Sequence, residues 1–460
     1  MNELRSGKRS LVWLGATAAF TVVGCSWAFS IARYGGPDEP AHIIRAAAVA
    51  DGDLLGKPVA GLEPGYRQVT VAKTLASGDP SCFRHDDLVT AECSVASSKS
   101  DRIAVATSAG TAPPWYYWIV GVVPRALSDG GALAYRMVTV VLCSAILGFA
   151  LDRSRRYGGG GWMLIALTPA AWFLFAVVGT SGIEIALVTL ALVEAVARFD
   201  SRDASLARVI VPLAICLALR PSAVIDVAVV GLALAPTITR PIRIKTVRTI
   251  VSPLVAAAAV TAAWSRWTGL VVDDRRTADA DKLPTAVRRS VHGIPETVHQ
   301  AIGALGWNEF FAPFAAQMVW VFALGFAAWW TVAHASDHWW HVRWLAAAVL
   351  LPVVLEVVLH RRVGEIWQGR YSIAFGIGGV LYAARVNRDS LFLGRLVIVA
   401  AFAEVLTLWH TLRRYMVGLH GSLTLRHAAW HPPLNPWLLI AINAAAMAAL
   451  VVASESQGTM

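Results

Sequence analysis

Apolar runs long enough to cross a lipid bilayer follow one another along most of this chain of 460 residues. A helix needs about 20 apolar residues to cross the hydrocarbon core, and the stretches 11–32, 132–151 and 314–335 have about that length. The composition agrees, because 56% of the residues are hydrophobic and only 15% are charged, against about 45–50% and about 25% in soluble domains. The sequence therefore predicts an all-α polytopic membrane protein. It excludes a soluble enzyme, a DNA-binding module and a disordered scaffold.

Positive charges set the orientation of the predicted spans. The chain has 40 Lys and Arg against 30 Asp and Glu, a formal net charge of +10, and cytoplasmic loops carry an excess of basic residues. Arg5, Lys8 and Arg9 place the N-terminus on the cytoplasmic side. The segment 115–127 is short and is predicted to be an interfacial helix that does not span the membrane. Both ends of the chain are then cytoplasmic. The number of spans is open by one or two, because the segments 115–127 and 206–237 allow other assignments. The resulting spans, about twelve, lie near 11–32, 132–151, 161–179, 182–198, 206–219, 222–237, 249–267, 314–335, 344–360, 371–386, 393–411 and 435–453.

Two long polar loops are predicted on the outer side of the membrane. Cys82 and Cys93 lie in the first of them, in an oxidising compartment, and are predicted to form a structural disulfide. We expect the protein in the cytoplasmic (inner) membrane, with its active site on the extracytoplasmic face. The predicted organisation is a cytoplasmic N-terminus (1–10), a transmembrane core (11–411) with outer loops at 33–114 and 268–313, and an outer loop with the last helix (412–460).

Paired carboxylates and an imidazole follow the first span. Asp38, Glu39 and His42 lie between and after two prolines, and His42 would lie one helical turn from Asp38. A rigid carboxylate at the edge of the lipid is a candidate general base. The alternative is that Asp38 caps a helix over 40–50 and Glu39 is solvated.

A second cluster combines arginines with polar residues between two late spans. Arg361, Arg362 and Arg370 are predicted outside, against the usual charge bias, and Gln368 and Tyr371 flank the third arginine. Guanidinium groups match phosphate oxygens bidentately, so Arg370 is a candidate phosphate ligand. For Arg361 and Arg362, snorkelling to lipid headgroups is the alternative.

Three further residues are weaker candidates. Trp307 and Glu309 lie in the second outer loop, where they would contact a polar substrate or, for Trp307, serve as an ordinary interfacial aromatic. Glu184 lies near the outer end of a span, where an acidic residue is either functional or simply hydrogen-bonded. His292 and His299 are seven residues apart and lack a third ligand, so they make a poor metal site.

Several of these motifs occur in the order found in a known family. The segment Pro37–His42 (PDEPAH) and the segment 368–371 (QGRY) resemble hallmarks of the bacterial membrane-protein family called domain of unknown function 2142. The similarity runs from about residue 34 to residue 375. Weaker matches are PPWYY at 113–117, the polar turn at 179–184 and LGW at 305–307. This chain departs from the family where Trp115 replaces a leucine, where Ala112 replaces a frequent histidine, and where Asn308-Glu309 replaces Leu-Asp.

That family is similar in layout to the GT-C membrane glycosyltransferases, which use polyprenyl-phosphate sugars. The resemblance implies a GT-C-like fold, a catalytic Asp38 with Glu39 beside it, and an arginine, Arg370, that holds the donor phosphate. It assigns a possible acidic role to Glu309 only indirectly, because the motif around it differs.

The leading hypothesis is a GT-C-like, inverting glycosyltransferase that moves a sugar from a polyprenyl-phosphate donor to a glycan, glycolipid or secreted protein. Asp38 would be the base, and Glu39 and His42 would orient it or the sugar. No metal-ligand set and no nucleic-acid partner are predicted; a divalent cation (Mg or Mn) near Asp38 is optional. Donor phosphate would be bound by Arg370, Gln368, Arg362 and Tyr371, and substrate by Tyr116, Tyr117, Glu184, Trp307 and Glu309.

Two other classes of function stay open. A transporter or flippase of a lipid-linked cell-envelope precursor would also need outer arginines and an apolar groove. A non-catalytic scaffold for envelope assembly is the third reading.

Overall fold

The structure is a computed structural model that describes residues 2–62, 65–95, 97, 101–127, 131–200, 205–234, 244–269, 283–335, 338–363, 367–386 and 390–455. Within this part the fold is mostly helical and contains two small antiparallel sheets. The predicted helical fold is therefore confirmed, apart from the two small sheets.

Seven helices in the described ranges are long and apolar enough to cross a bilayer. Each coincides with a predicted span, and their apolar segments have mean hydropathies from 1.4 to 2.2. They are α1 (Asn2–Ser30), α5 (Gly131–Arg155), α8 (Thr180–Asp200), α14 (Phe314–His334), α15 (His338–Val363), α17 (Leu391–Val417) and α18 (Pro436–Ser454).

The other five predicted spans have helices that are shorter, interrupted or less apolar, so the number twelve stays a prediction. The segment 161–179 is interrupted because Pro169 removes a backbone donor and holds Thr168 in an extended conformation, with φ −67° and ψ 163°. The helices in these five segments are α6 (Gly160–Ala166), α7 (Pro169–Phe175), α9 (Leu206–Leu219), α10 (Val224–Leu234), α11 (Ile244–Thr268) and α16 (Gly369–Tyr382).

The first predicted outer loop folds into short elements packed against the helices. The strand Arg67–Ala72 (β2) pairs with the strand Arg102–Thr107 (β3) in antiparallel register, from Arg67 opposite Thr107 to Ala72 opposite Arg102. Cys82 and Cys93 are joined by a disulfide with a Cα–Cα distance of 6.2 Å. The elements are α2 (Glu39–Ala50), β1 (Lys57–Pro58), β2 (Arg67–Ala72), α3 (Lys73–Ala76), β3 (Arg102–Thr107) and α4 (Pro114–Ala126).

The helix α4 has the length expected of the predicted interfacial helix at 115–127. Its Trp115 and Trp118 are exposed, whereas Tyr116 and Tyr117 are buried. A helix of 13 residues is too short to cross the hydrocarbon core.

The second predicted outer loop contains two helices and a hairpin. These are α12 (Leu283–His292), α13 (Ile294–Gly303), β4 (Ala304–Leu305) and β5 (Phe310–Phe311). Gly306 and Asn308 adopt positive φ angles of 60° and 62° in the turn between the strands, a conformation that Gly and Asn tolerate best. Trp307 and Glu309 lie in this turn.

The helices bring four separate chain segments to one end of the bundle. Helix α1 packs against α5 and α18, and α8 packs against α5, α9 and α16. The residues after α1, the beginning of α8, the end of α9 and the beginning of α16 meet there.

A buried ion pair between Arg136 of α5 and Glu39 of α2 fixes this end. The Arg136 guanidinium donates to both Glu39 oxygens, with Nε–Oε1 2.7 Å and Nη2–Oε2 2.6 Å. It also donates to the carbonyls of Ala28, Ile31 and Ala32 at the end of α1, at 2.7–3.0 Å. Since carbonyls at a helix C-terminus lack intrahelical partners and attract cations, one arginine satisfies α1 and holds the start of α2.

We expect Glu39→Gln to destabilise the protein strongly, because it leaves the Arg136 charge buried without a counter-ion. Breaking a buried ion pair in this way costs about 3–5 kcal/mol. The control Asp51→Asn breaks contacts to Arg102 and Arg125, whose side chains are 50% and 56% exposed, and surface pairs contribute about 0–1 kcal/mol. Thermal unfolding in detergent compares the two variants. Equal midpoints for both would contradict the structural role of Glu39.

Candidate functional site

Asp38 has a backbone conformation that directs its carboxylate away from the helix it precedes. Its φ of 60° and ψ of 7° are left-handed, and its side chain makes no capping hydrogen bond to α2. The carboxylate instead accepts a hydrogen bond from Arg370, with Nη2–Oδ2 2.8 Å, and is 47% exposed. The alternative interpretation of Asp38 as a side-chain helix cap is therefore wrong.

Asp38 lies on a cavity of about 190 Å³ formed where the four segments meet. Val177 and Leu174 form its apolar wall. The polar groups on its surface belong to Asp38, His42, Thr180, Ser181, Arg220, Arg370 and Tyr371.

The beginning of α8 forms one side of the cavity. Gly179 to Gly182 line it, and the first N–H groups of a helix have no intrahelical acceptor and attract anions. A Cβ at Gly182 would lie 2.4 Å from the carbonyl oxygen of Leu174, so only glycine lets α7 and α8 approach this closely. The glycine therefore holds the α8 N-terminus against the cavity wall.

Two arginines face the same cavity, and both lie close to the ring of Tyr371. The guanidinium carbons of Arg370 and Arg220 each lie 5.1 Å from the centre of the Tyr371 ring. Arg220 Nη1 donates to Ser181 Oγ at 3.1 Å and to a Glu184 carboxylate oxygen. Arg370 donates to the Tyr371 hydroxyl at 3.1 Å, and its buried Nε has no hydrogen-bond partner among the described residues. Two guanidinium groups and a helix N-terminus make the cavity suitable for an anion.

Sequence reasoning did not identify Arg220. It follows the apolar helix α9 and precedes Pro221, where an arginine is typical of a helix end that snorkels to the membrane surface. Only its contacts with Glu184 and Ser181 distinguish it. The same contacts place the predicted substrate ligand Glu184 behind Arg220 rather than on the cavity surface.

His42 reaches the cavity through a hydrogen bond that fixes its ring. Its Nδ1 lies 2.8 Å from the Tyr117 hydroxyl. Burial lowers the pKa of His42 to about 4; Asp38 opposes this effect, and Arg370 and Arg220 add to it. The low pKa keeps the ring neutral, and the hydrogen bond to Tyr117 fixes its orientation.

The two predicted substrate-binding tyrosines are buried and act on the cavity indirectly. Burial raises the pKa of both hydroxyls. Tyr116 accepts a hydrogen bond from the Gly179 N–H at 3.1 Å and contacts Thr139 Oγ1 at 3.0 Å. Tyr117 thus positions His42, and Tyr116 positions the start of α8.

The family model described as predicted membrane protein (DUF2142) matches residues 20–377. The chain belongs to this family. No curated protein and no solved structure matches the chain significantly. The family model establishes a membrane protein and leaves its activity open, and the likeness to GT-C enzymes stays an expectation.

Other candidate residues of this DUF2142 protein lie away from the cavity. Glu39 is fully buried, and besides Arg136 it accepts hydrogen bonds from the N–H groups of Val178 and Gly36, at 3.1 and 3.3 Å. Both backbone groups belong to segments that border the cavity. The geometry thus gives Glu39 a positioning role in place of contact with a ligand.

Trp307 and Glu309 secure the outer loops to each other. Trp307 Nε1 donates to the Tyr34 carbonyl at 2.9 Å. Glu309 accepts from the His85 N–H at 3.0 Å and from Arg414 at 3.3 Å, and burial raises its pKa. The structure therefore does not bring these two residues to the site.

The remaining predicted phosphate ligands differ in position. Gln368 is the N-cap residue of α16, and its side chain makes no capping hydrogen bond. It is close in sequence to Arg370, which lines the cavity, but it does not line the cavity itself. The side chain of Arg362 lies outside the described residues. Of the predicted phosphate ligands, Arg370 and Tyr371 line the cavity.

The donor set does not fit the optional divalent cation near Asp38. Asp38 is the one carboxylate among the residues that line the cavity, and it faces two guanidinium groups. Mg²⁺ and Ca²⁺ need several oxygen ligands and little competing positive charge. The cavity is suited to an anion.

A larger and more apolar cavity of about 410 Å³ lies between α13, α14, α15 and α16. Ile373, Ile377 and Val380 of α16 line it, together with Leu324 and Val353 from the neighbouring helices. The rings of Trp367, which lines this cavity, and Tyr371, which lines the smaller one, are 5.9 Å apart in an edge contact. Neighbouring rings thus line the two cavities.

Because its pKa is about 4 in the folded protein and about 6.5 in the unfolded chain, His42 makes the protein less stable as pH falls from about 6.5 to about 4. In this interval the unfolded chain binds a proton that the folded chain excludes, an effect of up to about 3 kcal/mol. We expect His42→Gln to remove this part of the acid sensitivity. Thermal midpoints of both proteins at pH 7 and pH 4.5 test this. An unchanged acid sensitivity in the variant would contradict a neutral, buried His42.

Proposed function

We propose that this membrane protein is a glycosyltransferase that takes a monosaccharide from a polyprenyl-phosphate donor. The observation that carries the proposal is a half-exposed carboxylate, Asp38, ion-paired with Arg370 in a cavity that also contains Arg220 and the α8 N-terminus. A candidate base and a candidate anion site thus lie in the same cavity. Glycosyl transfer from a phosphate needs both.

Binding of the donor would exchange ionic partners at Arg370. The phosphodiester of the donor offers two non-bridging oxygens to the guanidinium groups of Arg370 and Arg220 and to the first N–H groups of α8. Once Arg370 turns to the phosphate, Asp38 loses its counter-ion and becomes available as a base. The ligand-free ion pair therefore protects the base until a donor is present.

The chemical step follows from these positions. The acceptor hydroxyl attacks the anomeric carbon and gives its proton to Asp38, while the bond from that carbon to the phosphate oxygen breaks. The departing phosphate keeps the electron pair, and the two arginines stabilise its charge. Attack from the side opposite the phosphate inverts the anomeric centre. In this proposal Tyr117 donates to Nδ1 of His42, which leaves the proton of the neutral ring on Nε2, where it donates a hydrogen bond to a sugar oxygen.

The larger cavity suits the lipid part of such a donor. It is lined mainly by apolar side chains and borders α16, the helix that carries Arg370. A prenyl chain placed there would leave its phosphate near the beginning of α16. Burial of each CH₂ group contributes about 0.8 kcal/mol.

The predicted topology supports an active site on the extracytoplasmic face of the cytoplasmic membrane. The segments that carry Asp38, Ser181, Arg220 and Arg370 are separated by spans, and positive-inside counting places all four on the outer side. Their meeting in one cavity is consistent with this. The acceptor would then be a glycan, glycolipid or secreted protein.

We expect Asp38→Asn to bind the donor and fail to transfer its sugar, because an amide cannot take the acceptor proton. The rate should fall by at least about 10²-fold. Arg370→Ala should weaken donor binding by about 10- to 100-fold, as expected when a hydrogen bond to a charged group is lost. The assay measures bound donor and released sugar for a panel of radiolabelled polyprenyl-phosphate sugars, with protein in nanodiscs and the exposed Arg102→Ala as control.

Two results of this assay would count against the transferase. Failure of every donor to bind would remove its basis. Donor binding followed by movement across the bilayer without sugar release, with Asp38→Asn losing both equally, would instead establish a transporter or flippase.

A further inference from the structure

A pair of buried carboxyl groups lies directly behind Arg220. Glu184 of α8 and Asp226 of α10 are 7% and 3% exposed. One oxygen of each and the Cys216 sulfur lie within 4.8 Å of one another. Two negative charges this close together in a buried place repel each other strongly, so the pair holds a proton and a single negative charge.

The charges around the cavity balance only while it is empty of anions. Arg220 is the counter-ion of Glu184, and Arg370 is the counter-ion of Asp38. With one charge on the carboxyl pair, two guanidinium groups face two negative charges. An anion bound to both arginines leaves the carboxyl pair without its counter-ion in a buried place, where an uncompensated charge is costly.

We propose that anion binding in this cavity is coupled to uptake of one proton by the Glu184–Asp226 pair. Arg220 Nη1 turns from Glu184 to the anion, and the carboxylate that it leaves takes a proton from water, so that both carboxyl groups are neutral in the bound state. The inference rests on the proposed anion site and adds its regulation. Binding then strengthens as pH falls.

The charged and titratable groups that act on the pair come from three elements. Arg220 and Cys216 belong to the end of α9, and Arg370 and Tyr371 to α16. Asp38 lies across the cavity next to Arg370. Asp38 also loses a counter-ion when an anion binds, and the neutral ring of His42 lines the same cavity, so these two groups are the competing sites for the proton among the described lining residues.

Inorganic sulfate is the probe, because its charge does not change between pH 6 and pH 8. Isothermal titration calorimetry of the full chain in nanodiscs, in buffers that differ in ionisation enthalpy, counts the protons taken up with each sulfate. We expect uptake of about one proton for each bound sulfate. The affinity for sulfate should fall by up to about tenfold for each unit by which the pH rises. Arg220→Gln should lose sulfate binding.

Variants assign the proton. The double variant Glu184→Gln/Asp226→Asn should bind sulfate at least as tightly as the parent protein at pH 8, with no proton uptake, since Arg220 then has no carboxylate partner. Asp38→Asn and the surface control Asp51→Asn should keep the uptake. A carboxyl pair with a merely structural role would leave the proton count unchanged.

The outcomes separate this inference from the proposed function. Sulfate binding through Arg220 without proton uptake in the parent protein overturns the inference and leaves the anion site intact, even if the double variant does not fold. Uptake that disappears in Asp38→Asn overturns it by assigning the proton to Asp38. Absence of sulfate binding overturns both the anion site and its coupling to a proton.

Discussion

The architecture of the candidate site depends on the buried ion pair between Arg136 and Glu39. Arg136 joins three carbonyls at the end of α1 to the first residue of α2, and Glu39 in turn accepts the N–H groups of Gly36 and Val178. The two segments that border the cavity, before α2 and before α8, are thereby fixed to each other. A charge pair is costly to bury, and here the hydrogen bonds to these five backbone groups offset that cost.

Two ion pairs determine the charge distribution around the cavity. Asp38 and Glu184 each hold one arginine, and both arginines contact the ring of Tyr371. Such contacts keep two guanidinium groups close together without an anion between them. A phosphate that binds to them would release Asp38 on one side and the Glu184–Asp226 pair on the other. Base activation and proton uptake would then be two consequences of one binding event.

Much of this arrangement could be predicted from sequence, because it depends on hydrophobic runs and on short polar motifs at their ends. The seven long helices and the meeting of Asp38, His42 and Arg370 at one end of the bundle are of this kind. The different environments of Asp38 and Glu39 were not predictable, because the sequence does not show the backbone conformation of two adjacent carboxylates. The left-handed conformation of Asp38 turns its side chain toward the cavity, and Glu39 is buried. Arg220 could not be told from a snorkelling arginine. Trp307 and Glu309 have the residue types of a sugar site and instead bind Tyr34, His85 and Arg414.

The most direct test of the account is a structure of the protein in nanodiscs with a bound polyprenyl-phosphate sugar, determined by electron cryomicroscopy with Asp38→Asn to prevent turnover. The account predicts the phosphate between Arg220 and Arg370 at the start of α8, the prenyl chain in the cavity between α13, α14, α15 and α16, and the anomeric carbon beside residue 38. A phosphate bound elsewhere, with Arg220 still on Glu184, would contradict it.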